Sequence, residues 1–548
     1  MKCLLYLNTL KEIKLIQHCY RIIYFFSCKK PYLPKKLPPI RKTFKNCTNT
    51  IPKSVSIIDK NKFKFLNIEG LLNKKSDWYN NEREKLWLYN LHYFDDLNSD
   101  HNEYRNDIHY DLITRWIEEN PVGKGIGWDP YPISLRTVNW IKWHLKGNLL
   151  TEKAQQSLAI QIRYLRKRLE YHLLANHLFA NAKALVFAGL FFEGNEAQKW
   201  LKKGLSILEK EIPEQVLNDG GNFERSPMYN SIMVEDILDL INIAQSYKHP
   251  LIESSLIDYW KTVVQKMLLW LKAMCHNDSK IALFNDAAFG IAPEYNQLLS
   301  YAESLGITLA TDQKPVSDLS DTGYISIKQD KFTLIIDAGA VGPDYQPGHA
   351  HADTLSFELS CGEQRIIVDS GTSCYGTGPE RLRQRGTAAH NTVSIDNLNS
   401  SEVWSGFRVA RRARIKERTI HKNSDLIVIT ASHDGFERIR GVKYHKRIWS
   451  IENTRIKITD IIDGSGEHSI SSFLHFNPDI IASLKDSNIV ELKSPQKKSY
   501  KLYLDNRLEN RIIDSTYHPE FGLSIKNQKI VMSITAFLPF EFTTIIEL

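Results

Sequence analysis

The period of the hydrophobic pattern changes once along this chain of 548 residues, and that change constrains the fold more than any other feature. Between about residues 85 and 310, apolar side chains return at helical spacing. The pattern is clearest over 133–146, 153–174, 177–193, 195–211, 230–247 and 253–274. Short loops between such segments make neighbours antiparallel, which predicts an α/α toroid or a bundle. From Thr322 onward, short β-type runs alternate with turns, among them Tyr324–Ile327, Phe332–Ile336, Leu355–Leu359, Ile366–Asp369, Thr392–Ile395, Leu426–Thr430 and Val531–Ala536. These predict an antiparallel β-sandwich. A chain of this length exceeds one core. The expected organisation is multidomain α + β, with an N-terminal amphipathic helix and linker at 1–62, an α/α toroid at 63–315 and a C-terminal antiparallel β-sandwich at 320–548. A cleft is expected between the two large parts.

Leu4, Leu7, Leu10, Ile13 and Ile16 fall on every third residue, which predicts one amphipathic helix at the start of the chain. No apolar run there approaches the ~20 residues of a membrane span, and no small-x-small cleavage motif follows. The helix is expected either to pack on the body or to make peripheral membrane contact through residues 1–28, with Lys11, Lys14 and Arg21 at hand. Residues 29–62 are rich in Lys, Pro, Asn and Thr and read as a linker or extended wrap. Seven scattered cysteines without a CxxC argue against a disulfide framework. The net charge of +8 favours an acidic partner. With no zinc-finger spacing, RRM signature or continuous basic helix, nucleic acid is set aside and an anionic polysaccharide preferred. Nine of the eleven tryptophans precede residue 271, where aromatic rings either fill a core or line a groove for sugars.

One run in the β-like half is dense in chemistry: Gly348-His349-Ala350-His351-Ala352-Asp353. Asp369 follows His351 by 18 residues (369 − 351) and His390 follows Asp369 by 21 (390 − 369), each beside a strand-like run. Two imidazoles and a carboxylate so placed can converge on one ion. His349 and His351 share a face of an extended strand, so one histidine can bind metal while the other meets substrate. The helical half offers three clusters: Tyr171–Leu178 with Asn176 and His177, Asn218–Tyr229 with Asp219, Glu224 and Tyr229, and Gly127–Pro132 with Arg136. Taken alone, Asn176 reads equally well as the cap of a helix starting at His177. Taken together, Asn176, Tyr229 and His349 are what removal of a proton α to a carboxylate requires, namely a group to stabilise the enolate-like charge, a base and an acid. Arg136, Arg381, Arg383 and Arg385 are candidates to hold substrate acids, although the alternation of the last three equally suits one solvated strand face.

The motifs PGHAHADTLSFEL, IIVDSGTSCYGTGPERLRQRGTAAHNTVSID and SSEVWSGFRVARRA, in that order, resemble the heparinase II/III family of polysaccharide lyases. NDGGNFERSPMY and Asn176-His177 extend the resemblance into the helical half, so that it covers about 85–548. The resemblance implies a toroid and a sandwich with the active site between them, and β-elimination on a uronic-acid polysaccharide. Asn176 would neutralise the uronate, Tyr229 would serve as base and/or acid, and His349 would be its partner. His351, Asp369 and His390 would hold one divalent metal ion, usually zinc in the family and mainly structural. His177, Arg136, Glu224, Tyr375 and Arg385 would contact substrate. Where some members carry a second tyrosine after the metal aspartate this chain has Pro379, and Tyr375 is the nearest tyrosine. The segments LNTLK and LHYFD are similar to members associated with making surface polysaccharides, which implies the cell envelope or periplasm, with the cytoplasm as the alternative. Two other readings compete: a glycan hydrolase or epimerase using the same cleft, with Glu224 and Asp219 as acids, and a non-catalytic polysaccharide-binding or assembly protein.

Overall fold

The computed structural model describes residues 2–26, 36–47, 50–309 and 314–548. The chain opens with a helical hairpin, α1 (Lys2–Leu10) and α2 (Leu15–Phe26). The single amphipathic helix expected over Leu4–Ile16 is therefore broken. Gln17 Oε1 accepts the Lys14 N–H and caps the start of α2, turning the chain between the two. The 29–62 wrap is extended over 36–47, where the Arg41 N–H donates to the Phe191 carbonyl at 2.7 Å. It then forms a small antiparallel sheet from Ile57–Asp59, Lys62–Phe65 and Ile68–Leu71. Residues 29–35, 48 and 49 of the wrap lie outside the described residues.

The helical half consists of α3 (Lys85–Tyr93), α4 (Asn106–Glu119), α5 (Pro130–Leu145), α6 (Glu152–Arg166), α7 (Ala175–Phe191), α8 (Asn195–Gln215), α9 (Pro227–Tyr247), α10 (Ser254–Ala273) and α11 (Tyr295–Ser304). The helix expected over 153–174 stops at Arg166, and 167–174 becomes a loop that faces the cleft. That loop ends in two non-glycine residues with positive φ, Leu174 at 64° and Ala175 at 49°. Such conformations cost on the order of 1–3 kcal/mol each and concentrate at functional sites.

The β half contains a five-stranded antiparallel meander (Val316–Leu319, Tyr324–Lys328, Phe332–Asp337, Phe357–Cys361, Gln364–Ile367), a four-stranded sheet and an eight-stranded sheet. The helical core does not stop at its own domain. Leu319, Tyr324, Ile335, Val368, Tyr517 and Phe521 from the β half are buried within it. A second core, with Phe357, Trp449 and Ile530, fills the sandwich.

Polar hooks fix this docking. Asp219 accepts the Thr322 N–H at 2.7 Å, and Arg225 donates to the carbonyls of Thr322 (2.9 Å) and Gly342 (2.7 Å). Gly221 lies so close that a Cβ there would fall 2.3 Å from Thr322 Cγ2, so no larger residue fits. His276 bonds Ser360 and Glu358, while Arg365 donates to Asp278 and Glu358.

Candidate active site between the two domains

The seam between the halves opens into a cleft of ≈ 1950 Å³, lined among others by Asn176, His177, Tyr229, His349 and Tyr375. Asn176 sits one residue inside α7, directly after the strained turn. It does not cap the helix, and its buried Oδ1 has no hydrogen-bond partner. His177 packs on Tyr131 with ring centroids 4.5 Å apart and bonds Glu170 at 3.1 Å. Tyr229 is placed by the start of α9, where Ser226 accepts its N–H and Pro227 takes the first helical position. The Tyr229 ring lies 4.0 Å from the His349 ring, and its hydroxyl is 3.0 Å from that of Tyr375. The Tyr375 hydroxyl is in turn 3.5 Å from His349 Nδ1.

Asp286 organises this cluster, although the sequence reading passed over it. It is fully buried and accepts from His349 Nδ1 (2.9 Å), from His351 Nε2 (2.8 Å) and from both terminal nitrogens of Arg381. Burial would raise its pKa, but Arg381 and the two histidines outweigh this and hold it well below the usual carboxylate range. An ionised carboxylate only accepts, so the histidine nitrogens facing it carry the protons. In the neutral tautomer the lone pairs then sit on His349 Nε2, which lies 3.7 Å from Glu224, and on His351 Nδ1. Burial, then Tyr375, raises the Tyr229 phenol well above its ordinary value, so it stays protonated at neutral pH. Glu224 is buried beneath the cleft rather than exposed to it. Burial raises its pKa, against the lowering effect of His349 and His177.

One group of buried side chains near His349 could hold a metal ion. His351, Asp353 and His390 offer ligand atoms within 4.8 Å of one another. His351 Nδ1, Asp353 Oδ2 and His390 Nε2 are all buried without a partner. This set differs from the expected one. Asp353 stands where Asp369 was anticipated, while Asp369 accepts from His390 Nδ1 at 2.7 Å and from the Gly371 N–H at 3.0 Å. Asp353 follows His351 by two residues on the same loop, and both offer ligand atoms to that group. Two imidazoles, one carboxylate and a carboxylate supporting a histidine suit a zinc-like ion.

Besides Glu224, two expected substrate contacts are corrected. Arg136 is fully buried, stacks on Trp116 at 3.9 Å and donates to His92 O, Gly127 O and Gln161 Oε1. Arg385 is equally buried and holds the carbonyls of Ala350 and Gly406, which supports the His-x-His loop. Neither guanidinium reaches the cleft, because each satisfies loop carbonyls that would otherwise be orphaned. The Arg381–Arg385 alternation is not a strand face. It belongs to a short helix, Pro379–Gln384, with Arg383 outside on Glu380. Asp219, considered as a hydrolytic acid, is committed to Thr322.

Comparison with known proteins agrees with this architecture. Residues 63–304 match the family model described as heparinase II/III N-terminus, and 311–545 match heparinase II/III-like, C-terminal. A heparin-sulfate lyase of Bacteroides stercoris is 24% identical over 328 residues, 56% of this chain and 46% of that protein, so the match spans less than half of the relative. The FtsZ-localized protein C of Caulobacter vibrioides is 23% identical over 379 residues, 64% of this chain and 62% of that one. A mutant heparan sulfate lyase from Pedobacter heparinus, solved by crystallography, superposes with a TM-score of 0.59 at 17% identity, covering 89% of this chain and 81% of that one. With one family's two domain models together accounting for nearly the whole chain beyond residue 62, the protein belongs to the heparinase II/III-like family.

Proposed function

We propose that this protein is a polysaccharide lyase that cleaves a uronic-acid-containing anionic polysaccharide by β-elimination. The observation that carries the reading is the relay Asp286–His349–Tyr229–Tyr375 at the wall of the cleft that Asn176 also lines. The Asn176 side chain hydrogen-bonds the uronate carboxylate and stabilises charge as it spreads into the enolate-like state. His349 Nε2, oriented by Asp286, takes the C5 proton. The C4–O bond breaks, C4=C5 forms, and the Tyr229 hydroxyl gives its proton to the leaving oxygen. The high pKa of Tyr229 suits it to the acid role, and Tyr375 is placed to return a proton to it.

His351, Asp353 and His390, with Asp369 against His390, fit one divalent ion, zinc by ligand type. Bound there, it would supply fixed positive charge and tie together the loops behind His349. His351 bonds Asp286 with its other nitrogen, so this position steadies the carboxylate that orients His349.

A hydrolase would need two carboxylates flanking the bond. Of the nearby acids, Asp286 is locked by Arg381 and Glu224 lies under the floor. The similarity to members associated with surface polysaccharides supports a place at the cell envelope. The exposed Leu4, Leu7, Ile22, Phe25 and Phe26 of the hairpin support contact with a membrane surface.

The test is incubation with a panel of uronate polysaccharides while following ultraviolet absorbance of the new conjugated double bond. Absorbance that rises with wild type and not with Tyr229→Phe supports elimination. New reducing ends without absorbance would make the protein a hydrolase, and no change with any chain would favour the binding-protein reading.

A further inference from the structure

The cleft is not basic. Its lining carries ten Lys and Arg against eleven Asp and Glu. Six of those cations already face carboxylates: Lys53 on Glu235, Lys85 on Asp129, Lys142 on Asp239, Lys183 on Asp236 and Asp239, Arg381 on Asp286, and Arg412 on Asp344. A groove for a densely sulfated chain would concentrate unpaired positive charge along its length. Here most of the charge is spent internally.

Four cations remain, Arg21, Lys64, Arg168 and Arg408. Among the described residues, none of these has a carboxylate within ion-pair distance. Three of them gather at one wall, brought there by three separate segments: Arg21 by α2 of the hairpin, Arg168 by the loop after α6, and Arg408 by the β half. The hairpin bridges the two domains at this point. Tyr6 meets the Trp404 ring at 4.7 Å, Trp404 Nε1 donates to Thr9 at 3.1 Å, and Lys14 pairs with Glu214 at 2.6 Å. Tyr20 packs on Tyr171 and Tyr24 on His172, each at 4.6 Å. Two of the arginines lie against aromatic rings. Arg168 lies 5.2 Å from Tyr24, and Arg408 lies 4.8 Å from Trp404 and 5.3 Å from Tyr6. Arg168 Nη1 is buried with no hydrogen-bond partner. Burial, followed by repulsion from Arg408, lowers the Arg21 pKa, as expected where like charges meet uncompensated.

The cluster adjoins the chemistry. Arg168 and His172 stand on the loop leading into Asn176, and Phe407, next to Arg408, lies 6.0 Å from the His349 ring.

We propose that Arg21, Arg168 and Arg408 form an anion subsite, completed by the N-terminal hairpin, that holds a single acidic group of the glycan next to the cleaved bond. It follows that the substrate carries isolated acidic groups, such as one carboxylate per repeat, rather than dense sulfation. This rests on the lyase reading for the identity of the polymer but not for the existence of the subsite.

Binding is therefore measured without turnover, on full-length Tyr229→Phe. The probes are fluorescent oligosaccharides of an unsulfated glucuronate–N-acetylglucosamine chain and of heparin, at low and physiological salt. The unsulfated chain should bind, and heparin should bind no more than about threefold tighter. Adding Arg21→Gln, Arg168→Gln or Arg408→Gln should each weaken binding on the order of tenfold, the value of a charge-assisted contact. Adding Arg383→Gln, a surface residue on Glu380, should leave binding unchanged. Each variant is checked by thermal unfolding, and should Arg21→Gln fail to fold, the exposed Arg408→Gln decides. Unchanged affinity in the arginine variants, affinity that climbs with sulfate number, or no binding by any chain overturns the proposal. Arginine-dependent binding by a protein whose wild type forms no double bond would keep the subsite and remove the lyase. Turnover indifferent to all three arginines would do the reverse.

Discussion

Replacing Asp286 by Asn tests the centre of the site. The substitution keeps shape and removes charge. Asp286 accepts four hydrogen bonds, from His349, from His351 and two from Arg381. Asparagine has one acceptor oxygen and would turn an NH2 group toward donors. Arg381 is fully buried, and its remaining partners are neutral, Gly406 O at 3.1 Å and Thr372 Oγ1 at 3.2 Å. Breaking a buried ion pair from one side costs about 3–5 kcal/mol, so urea denaturation should show a loss of that size. The kinetic loss should be separate and larger in effect. Without the carboxylate, His349 no longer keeps its proton on Nδ1, and loss of an orienting carboxylate costs on the order of 10³–10⁴ in turnover. A double-mutant cycle with Arg381→Met should recover part of the stability, with coupling of at least about 2 kcal/mol, and none of the turnover. If Asp286→Asn is within about 1 kcal/mol of wild type in stability and within tenfold in rate, Asp286 does not organise the site and the relay is wrong.

Tyr229→Phe should leave the unfolding midpoint nearly unchanged and reduce turnover by about 10²–10⁴, while Tyr375→Phe should reduce it less, and a larger loss at Tyr375 would exchange their roles. Elemental analysis should find one divalent ion per chain, lost in Asp353→Asn and bound about 10–100-fold more weakly in Asp369→Asn; the opposite order would make Asp369 the ligand and Asp353 its support. Burial raises Asp278 and Glu358, but Arg365 and, for Glu358, His276 outweigh it, so both folded pKa values are depressed. Their stabilisation should therefore be complete above the unfolded carboxylate range near ~4 and decline as pH falls below it. Arg365→Gln should flatten that acid limb, and an unchanged slope would exclude these carboxylates from the linkage.

The two-domain plan was legible because periodicity reports which side chains must be buried, and both halves bury enough to show it. Element ends were less legible. The helix expected to run to residue 174 stops at Arg166, and the loop after it closes on positive φ at Leu174 and Ala175, residues whose types do not announce that conformation. Tyr229, His349 and Asn176 were found through residue type and motif order. Arg136 and Arg385 were misjudged because a guanidinium beside a motif looks the same whether it serves substrate or loop carbonyls; only the carbonyls they hold decide that. Asp286 left a faint signal, an Asn285-Asp286 pair inside the apolar stretch 281–289, unreadable until its partners 63 and 65 residues away were known. The unpaired arginines left none, because pairing is a property of the folded chain.

The placement of Asp286 also accounts for the weight of polar contact between the domains. It lies on the helical side, while His349, His351 and Arg381 come from the β side, so the base is oriented only when the halves are docked. Asn285 makes the same crossing, accepting the His351 N–H at 2.9 Å and donating to Tyr324 at 3.2 Å. A shift of 1 Å at this seam would stretch the His349–Asp286 bond from 2.9 to about 3.9 Å, beyond hydrogen-bond range. Apolar contact alone is non-directional and tolerates such sliding. The Asp219–Thr322, Arg225–Gly342 and Arg365–Asp278 hooks do not, because each is lost over the same displacement. Loosening any one of them should therefore lower turnover before it lowers substrate binding, since the arginines and aromatic rings of the cleft tolerate a displacement that the oriented base does not.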